Sequence, residues 1–344
     1  MNSTDLPRLT VRSPADLIAA VPYLLGFHPA DSIVVVALAA SRIVFAARGD
    51  LTDDADTQEA STHIAAVTAQ QGADSATVIG YGPAIRVTPA LDAVRAALTD
   101  AGLTVLDALR VTGDRWWSYV CTEPECCPPE GTPYDPRAST VPAAAVFAGQ
   151  VALPDRAALA AQIAPVGGAE MRHAAERAEK RLTGLLAAAP PTDLLGGRAL
   201  RSAGLAACRA ARRRHRSGKQ LTDDEVAWLC LLLTHLPVRD HAWERTDGRD
   251  EDVAFWTELL RRAEPELIAA PGALLAFAAW REGQGALAAV ALERVLTEHP
   301  DYSLALLLDD LLRRGVPPSR LDGWPASGLP KQPRRRRSRR RPPR

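Results

Sequence analysis

The hydrophobic positions divide the chain in two. Up to about residue 120, short apolar runs alternate with amphipathic stretches. Beyond about residue 155, apolar positions recur only at helical spacing. Ser32-Ile-Val-Val-Val-Ala-Leu38 is an unbroken β-branched run, the pattern of a strand buried on both faces. A second run over Ile43–Leu51 follows four residues on and predicts a hairpin. The spacing then predicts a helix over 54–71 ending at Gly72, and a third strand over Ala76–Tyr81. Thr88-Pro89 reads as the N-cap and first-turn proline of another helix, which Gly102 closes. Leu103–Thr112 reads as a fourth strand, Gly113-Asp114 as a turn, and Arg115–Cys121 as a fifth strand. Ahead of these, Ser13, Pro14 and Asp16 mark a helix start, with Leu17, Ile18 and Val21 on its apolar face. Pro22 is expected to end or bend that helix.

Hairpins joined by helices imply a mixed sheet of about five strands with helices packed on it, an α/β domain over residues 1–165. Residues 121–140, rich in Pro, Cys, Gly and Asp, read as a structured loop. Residues 166–320 read as an all-helical domain of helical hairpins. Its apolar faces include Val226, Leu229, Cys230 and Leu233, then Ala288, Ala291, Leu292 and Val295, then Leu304, Leu307, Leu308 and Leu311. Thr222-Asp-Asp-Glu225 has the spacing of a capping box, which gives those acids a structural role. Residues 321–344 turn to Pro, Gly, Ser and Arg and are expected to be a disordered arginine-rich tail.

A formal net charge of zero hides a division. Residues 331–344 hold nine Lys/Arg and no acid, leaving 32 basic against 41 acidic residues in the remainder. Body and tail are therefore oppositely charged, near −9 and +9, and could attract each other or different partners. Arginine outnumbers lysine 38 to 3, which reads as the codon bias of a GC-rich genome and weakens any argument from Arg content alone. The longest uncharged run, Ala138–Pro154, carries Pro142, Gln150 and Pro154, so it reads as a core or interfacial segment and not a membrane span. The opening residues show neither a charged n-region nor an apolar h-region, so the expectation is a cytoplasmic protein with no membrane partner. Five cysteines, an odd number in a chain of this size, argue against a disulfide framework.

Several segments together resemble a known family. Val11-Arg-Ser-Pro-Ala-Asp-Leu17, Ala20-Val-Pro-Tyr-Leu-Leu-Gly-Phe-His-Pro29 and Asp31–Leu38 carry the likeness at the start. Gly113-Asp-Arg-Trp-Trp-Ser-Tyr119, Cys126-Cys-Pro-Pro-Glu-Gly131 and Val238-Arg-Asp-His-Ala-Trp243 carry it further on. These look like DUF4192, an actinobacterial domain of unknown function, over residues 10–315. The resemblance implies a soluble actinobacterial protein and transfers no activity. Residues 267–300 are also similar to one tetratricopeptide unit, through Ala276, Trp280, Gly283, Ala288 and Pro300. An ordinary helical hairpin explains the same residues.

The candidate chemistry is scattered. Cys121, Cys126 and Cys127 could hold zinc as thiolates, with His28 or His63 as a further ligand; structural or redox-accessible thiols are the alternative. Gly26-Phe-His-Pro-Ala-Asp-Ser32 brings His28, Asp31 and Ser32 together before the first strand, where they could move a proton or bind a polar ligand; a self-bonded turn is the plainer reading. Gly80-Tyr-Gly-Pro83 lies between a strand and a helix but lacks the phosphate-loop patterns. Of Trp116 and Trp117, one is expected in the core and the other facing a pocket or helix. Arg209–Lys219 carries six basic residues, with Arg209, Arg213 and Arg216 on one helical face and Arg212 to its side.

Two functions follow. One is an interaction protein: the helical half meets a protein partner, and Arg334, Arg335, Arg336, Arg337, Arg339, Arg340 and Arg341 of the tail attract nucleic acid or another polyanion. The other is an enzyme of unknown class with its site at the strand ends, where His28, Asp31, Ser32, Asp50 and the Cys126 loop would converge. No recognisable nucleophile–base, metal or phosphate signature emerges, which favours the first.

Overall fold

The computed structural model describes residues 10–51, 54–193 and 196–321. The arginine-rich tail, beyond Leu321, lies outside the described residues. The first half runs α1 (Pro14–Leu25), β1 (Ser32–Ala39), β2 (Arg42–Asp50), α2 (Asp54–Gln70), β3 (Ser75–Tyr81), α3 (Ala84–Asp100), β4 (Thr104–Thr112), β5 (Arg115–Ser118), β6 (Thr132–Pro133) and α4 (Val141–Phe147). The sheet order is β2-β1-β3-β4-β5-β6, with β3 and β4 parallel and every other neighbouring pair antiparallel.

Side-chain alternation explains why β1 is covered on both faces. Ile33 and Val35 face one side and pack with α2 and α3 through Ala65, Leu91, Val94 and Leu98. Val34 and Val36 face the other and pack with Leu17, Ile18 and Val21 of α1. The β1–β2 turn, Ala40-Ser41, has positive φ at both residues (47° and 65°), the requirement of the tightest hairpin turn. Asp74 Oδ2 accepts the Ala40 N–H at 2.8 Å.

Four boundaries differ from the sequence reading, each for a local reason. α1 runs through the buried Pro22 to Leu25 and ends at Gly26, whose φ of 82° is left-handed. α3 opens at Ala84 and not at Thr88: Pro83 takes the N-cap place, and the preceding turn is drawn in by Val87, fully buried against Gly80. A β-carbon on Gly80 would come 2.2 Å from Val87 Cγ1, so glycine permits this approach. β5 stops at Ser118, whose hydroxyl takes the Val120 and Cys121 N–H groups and turns the chain off the sheet. Thr132–Pro133 adds a sixth strand at the edge, where proline is tolerated.

The second half is helical: α5 (Arg156–Gln162), α6 (Ala169–Ala187), α7 (Gly197–Arg216), α8 (Asp223–Leu232), α9 (Leu236–Trp243), α10 (Asp250–Arg262), α11 (Ala269–Arg281), α12 (Gly285–Glu298) and α13 (Ser303–Arg313). Thr222 and Glu225 form the reciprocal capping box at the start of α8. α11 and α12 form the hairpin expected over 267–300, and α13 packs on both. On α13 Leu304 and Leu308 are buried, whereas Leu307 is exposed.

The helical core reaches into the first half. Phe27 belongs to it and makes an isolated parallel bridge to Leu153. Leu159 and Ile163 of the α5 region also pack there, and Arg156 pairs with Glu293 of α12 at 2.6 Å. A second fastening joins α2 to the end of α13. Gln71 Nε2 donates to Gly315 O at 2.7 Å, and His63 Nε2 donates to Arg313 O at 2.9 Å.

Candidate functional site

The C-terminal ends of the parallel strands β3 and β4 meet the start of β1, the end of β2 and the first turn of α3. Ser32 stands opposite both Asp50 and Tyr81. Asp31 adopts φ 43°, a left-handed backbone that a non-glycine residue holds only under constraint. The constraint is visible: Leu51 N–H bonds Asp31 O at 3.2 Å, and Arg86 bonds Asp31 Oδ1 at 2.9 Å and Leu51 O at 3.3 Å. Asp50 pairs with Arg48 at 2.6 Å. Ser32 is fully buried and its hydroxyl has no hydrogen-bond partner among the described residues. His28 is exposed and tied through its main chain, its N–H donating to Leu153 O at 2.9 Å. The structure thus gathers Asp31, Ser32 and Asp50 at one sheet end, with each carboxylate matched by an arginine. No base is bonded to the Ser32 hydroxyl.

The cysteine loop lies elsewhere. Ser32 on β1 and Ser118 on β5 are three strand spacings apart, about 14 Å, and among the described residues no hydrogen bond joins Asp31 or Ser32 to the cysteine loop. His63 is engaged with Arg313 and not with the cysteines. Within the loop, Ser118 Oγ donates to Asp107 Oδ1 at 2.7 Å and accepts the Cys121 N–H at 2.9 Å. Glu123 O accepts the N–H groups of Cys126 (3.1 Å) and Cys127 (2.8 Å), closing a turn whose second residue is Pro124. Trp117 Nε1 donates to Pro129 O at 3.1 Å and Arg115 to Gly131 O at 2.7 Å, pinning the loop's far end on β5. Gly131 (φ 84°) lies against the Trp117 ring, where a β-carbon would come within 2.4 Å.

These bonds bring the sulfur atoms of Cys121, Cys126 and Cys127 within 4.8 Å of one another. Hydrogen bonding from the Cys127 thiol holds Cys121 below the usual thiol range, while burial first, and the other two sulfurs second, push Cys127 up to about 12. Trp116 is buried in the sheet core and Trp117 lies outside it, its ring 3.6 Å from the Arg110 guanidinium.

The basic segment on α7 divides as its helical phase requires. Arg212 turns inward to Asp252, Arg214 pairs with Glu225 at 3.2 Å, and Arg216 pairs with Glu251. Arg201, Arg209 and Arg213 are exposed, with no carboxylate partner among the described residues. Arg245 joins them from beyond α9, donating to His241 Nδ1 at 2.9 Å. Burial, then Arg245, Arg209, Arg201 and Arg212, push His241 down to about 4. Sequence reading placed Arg209 and Arg213 on one face but missed Arg201, His241 and Arg245 beside them, and it missed Arg86. The i,i+4 spacing of His241 and Arg245 was the available signal; Arg86 had none, because its partner is 55 residues away.

Among the described residues, no helix is long and apolar enough to cross a membrane. No curated protein and no solved structure matches the chain. Residues 14–319, nearly the whole of the described region, match the family described as Domain of unknown function (DUF4192), and the chain belongs to that family.

Proposed function

We propose that the protein is a cytoplasmic interaction protein that holds nucleic acid through its basic tail and the cationic face of α7 and α9, with the helical half offering a surface to a protein partner. Charge segregation carries this reading. Nine Lys/Arg and no acid fill residues 331–344, and Arg201, Arg209 and Arg245 gather around His241 on the helical half, with Arg213 exposed one turn beyond Arg209 on α7. Phosphate contacts of this kind release counterions and make affinity fall steeply with salt, by about 0.9 in the logarithmic slope for each phosphate neutralised. The binding is independent of base sequence, since arginine on a phosphate carries no base readout.

The test compares the full chain with one cut after Gly328, on a duplex DNA fragment at about 150 mM salt. The cut chain should bind at least about tenfold more weakly, and Arg209→Ala should lower the salt slope by about one. Equal binding by both chains removes the tail from the reading, and no binding by the full chain removes the reading itself.

A second reading, an enzyme with its site at the strand ends, is favoured by the left-handed Asp31 under Arg86 beside the buried Ser32 hydroxyl. It requires a small anionic or polar compound that raises the melting temperature of the wild type and not of Arg86→Ala. A metabolite panel without such a compound disposes of it.

A further inference from the structure

The cysteine loop has a geometry that neither the proposed polyanion binding nor the fold requires. Its three sulfurs converge within 4.8 Å, from positions 121, 126 and 127 of a short loop. A zinc ion with Zn–S bonds near 2.3 Å sets tetrahedral sulfurs about 3.8 Å apart, so closure needs a movement of about 1 Å at most. Adjacent cysteines seldom reach one centre, because successive side chains usually diverge. Here the turn closed on Glu123 O bends the chain between Pro124 and Pro128 and brings both thiols to one side. Prolines at 124, 128 and 129 stiffen the loop, and its bonds to Ser118, Trp117 and Arg115 fix it to β5. Much of the ordering that a metal must otherwise impose is thus already present.

We propose that Cys121, Cys126 and Cys127 bind one zinc ion as thiolates, with the fourth coordination position open to solvent. Among the described residues no histidine or carboxylate joins the three sulfurs within that distance, and Cys126 is exposed, so water or an external donor completes the tetrahedron. Three thiols lose three protons to the medium as the divalent ion enters, leaving a centre of net charge −1. The exposed Glu123, Glu125 and Glu130 flank the loop and favour cation entry. Ser118 is the positioning residue: it binds the Cys121 N–H and is itself held by Asp107. A centre with three protein ligands and an open place differs from a closed structural site, in that it can exchange its fourth ligand.

The test uses the reduced full chain. Protein purified without chelator should carry about one equivalent of zinc by elemental analysis. After chelation, cobalt(II) should develop thiolate charge-transfer absorption together with the intense visible bands of a tetrahedral site. Cys126→Ser should weaken zinc by more than about a hundredfold, beyond the 10–100-fold expected of Ser118→Ala. Cys208→Ser and Cys230→Ser, in the helical core, should leave the metal unchanged. Circular dichroism checks that each variant is folded. Where Cys126→Ser is not, zinc protection of three of the five wild-type thiols against alkylation gives the same answer. Less than a tenth of an equivalent of zinc with no cobalt charge-transfer band overturns the proposal. Undiminished zinc in a folded Cys121/Cys126/Cys127 triple serine variant, or a disulfide within the loop that persists under reductant, also overturns it.

Discussion

Replacing Asp252 with alanine removes one side of an ion pair that the helical core has closed over. Asp252 is 4% exposed, and its carboxylate accepts from the Arg212 guanidinium and from the Asp247 N–H at 2.9 Å. Arg212 keeps only 12% of its side chain exposed and lies 5.1 Å over the Phe255 ring and 5.5 Å over that of Trp256. Its second nitrogen donates to Thr246 Oγ1 at 3.1 Å, and that hydroxyl also accepts Trp256 Nε1 at 3.1 Å and donates to Ala242 O at 2.9 Å. Without Asp252 the guanidinium stays buried with its charge uncompensated, which costs about 3–5 kcal/mol. Replacing both partners, as Arg212→Met with Asp252→Ala, removes the stranded charge and should cost no more than about 1–2 kcal/mol. The two changes therefore couple by at least about 2 kcal/mol. Urea unfolding followed by tryptophan fluorescence measures each corner of the cycle. A loss below about 1 kcal/mol for Asp252→Ala alone, or additive effects in the double variant, refutes the reasoning.

Three other outcomes follow from particular contacts. Ser41→Gly should stabilise by about 0.5–1 kcal/mol, because it relieves a left-handed residue in the β1–β2 turn at a smaller entropic loss; a lower denaturation midpoint contradicts this. His241, held neutral down to about 4 against an unfolded value of 6.5, contributes stability that is complete above pH 6.5 and is lost as pH falls from 6.5 to about 4. His241→Gln should flatten the pH dependence of unfolding in that window, and an unchanged slope excludes His241 as its source. Gly80→Ala should destabilise by about 1–3 kcal/mol through the overlap with Val87, and Gly80→Ala with Val87→Ala should recover part of the loss; no recovery would place the cost elsewhere.

Periodicity carried the sheet and the helices because burial dictates both. The run Ser32–Leu38 is apolar at every step after Ser32 because β1 is covered on both faces. The cap at Ser13 and the box at Thr222 were legible because their bonds close within three residues. What escaped was decided by competition or by distance. β5 ends where the Ser118 hydroxyl offers the backbone a better partner than the sheet, which no apolar pattern records. Arg212 reads as part of a basic run, yet its partner Asp252 lies 40 residues on and becomes visible only when α7 and α10 meet. The three cysteines were legible as residues, but the turn that gathers their sulfurs depends on Glu123 O and on anchoring to a strand edge.

The two fastenings between the halves carry a consequence for motion. One is Phe27, seated in the helical core, and the other runs from His63 and Gln71 to Arg313 and Gly315. A hinge needs one pivot about which a body can swing. Two ties drawn from separate stretches of chain leave rotation only about the line joining them, so any other opening must break at least one. An opening that breaks the first tie would bare Phe27, an apolar side chain that the helical core now encloses.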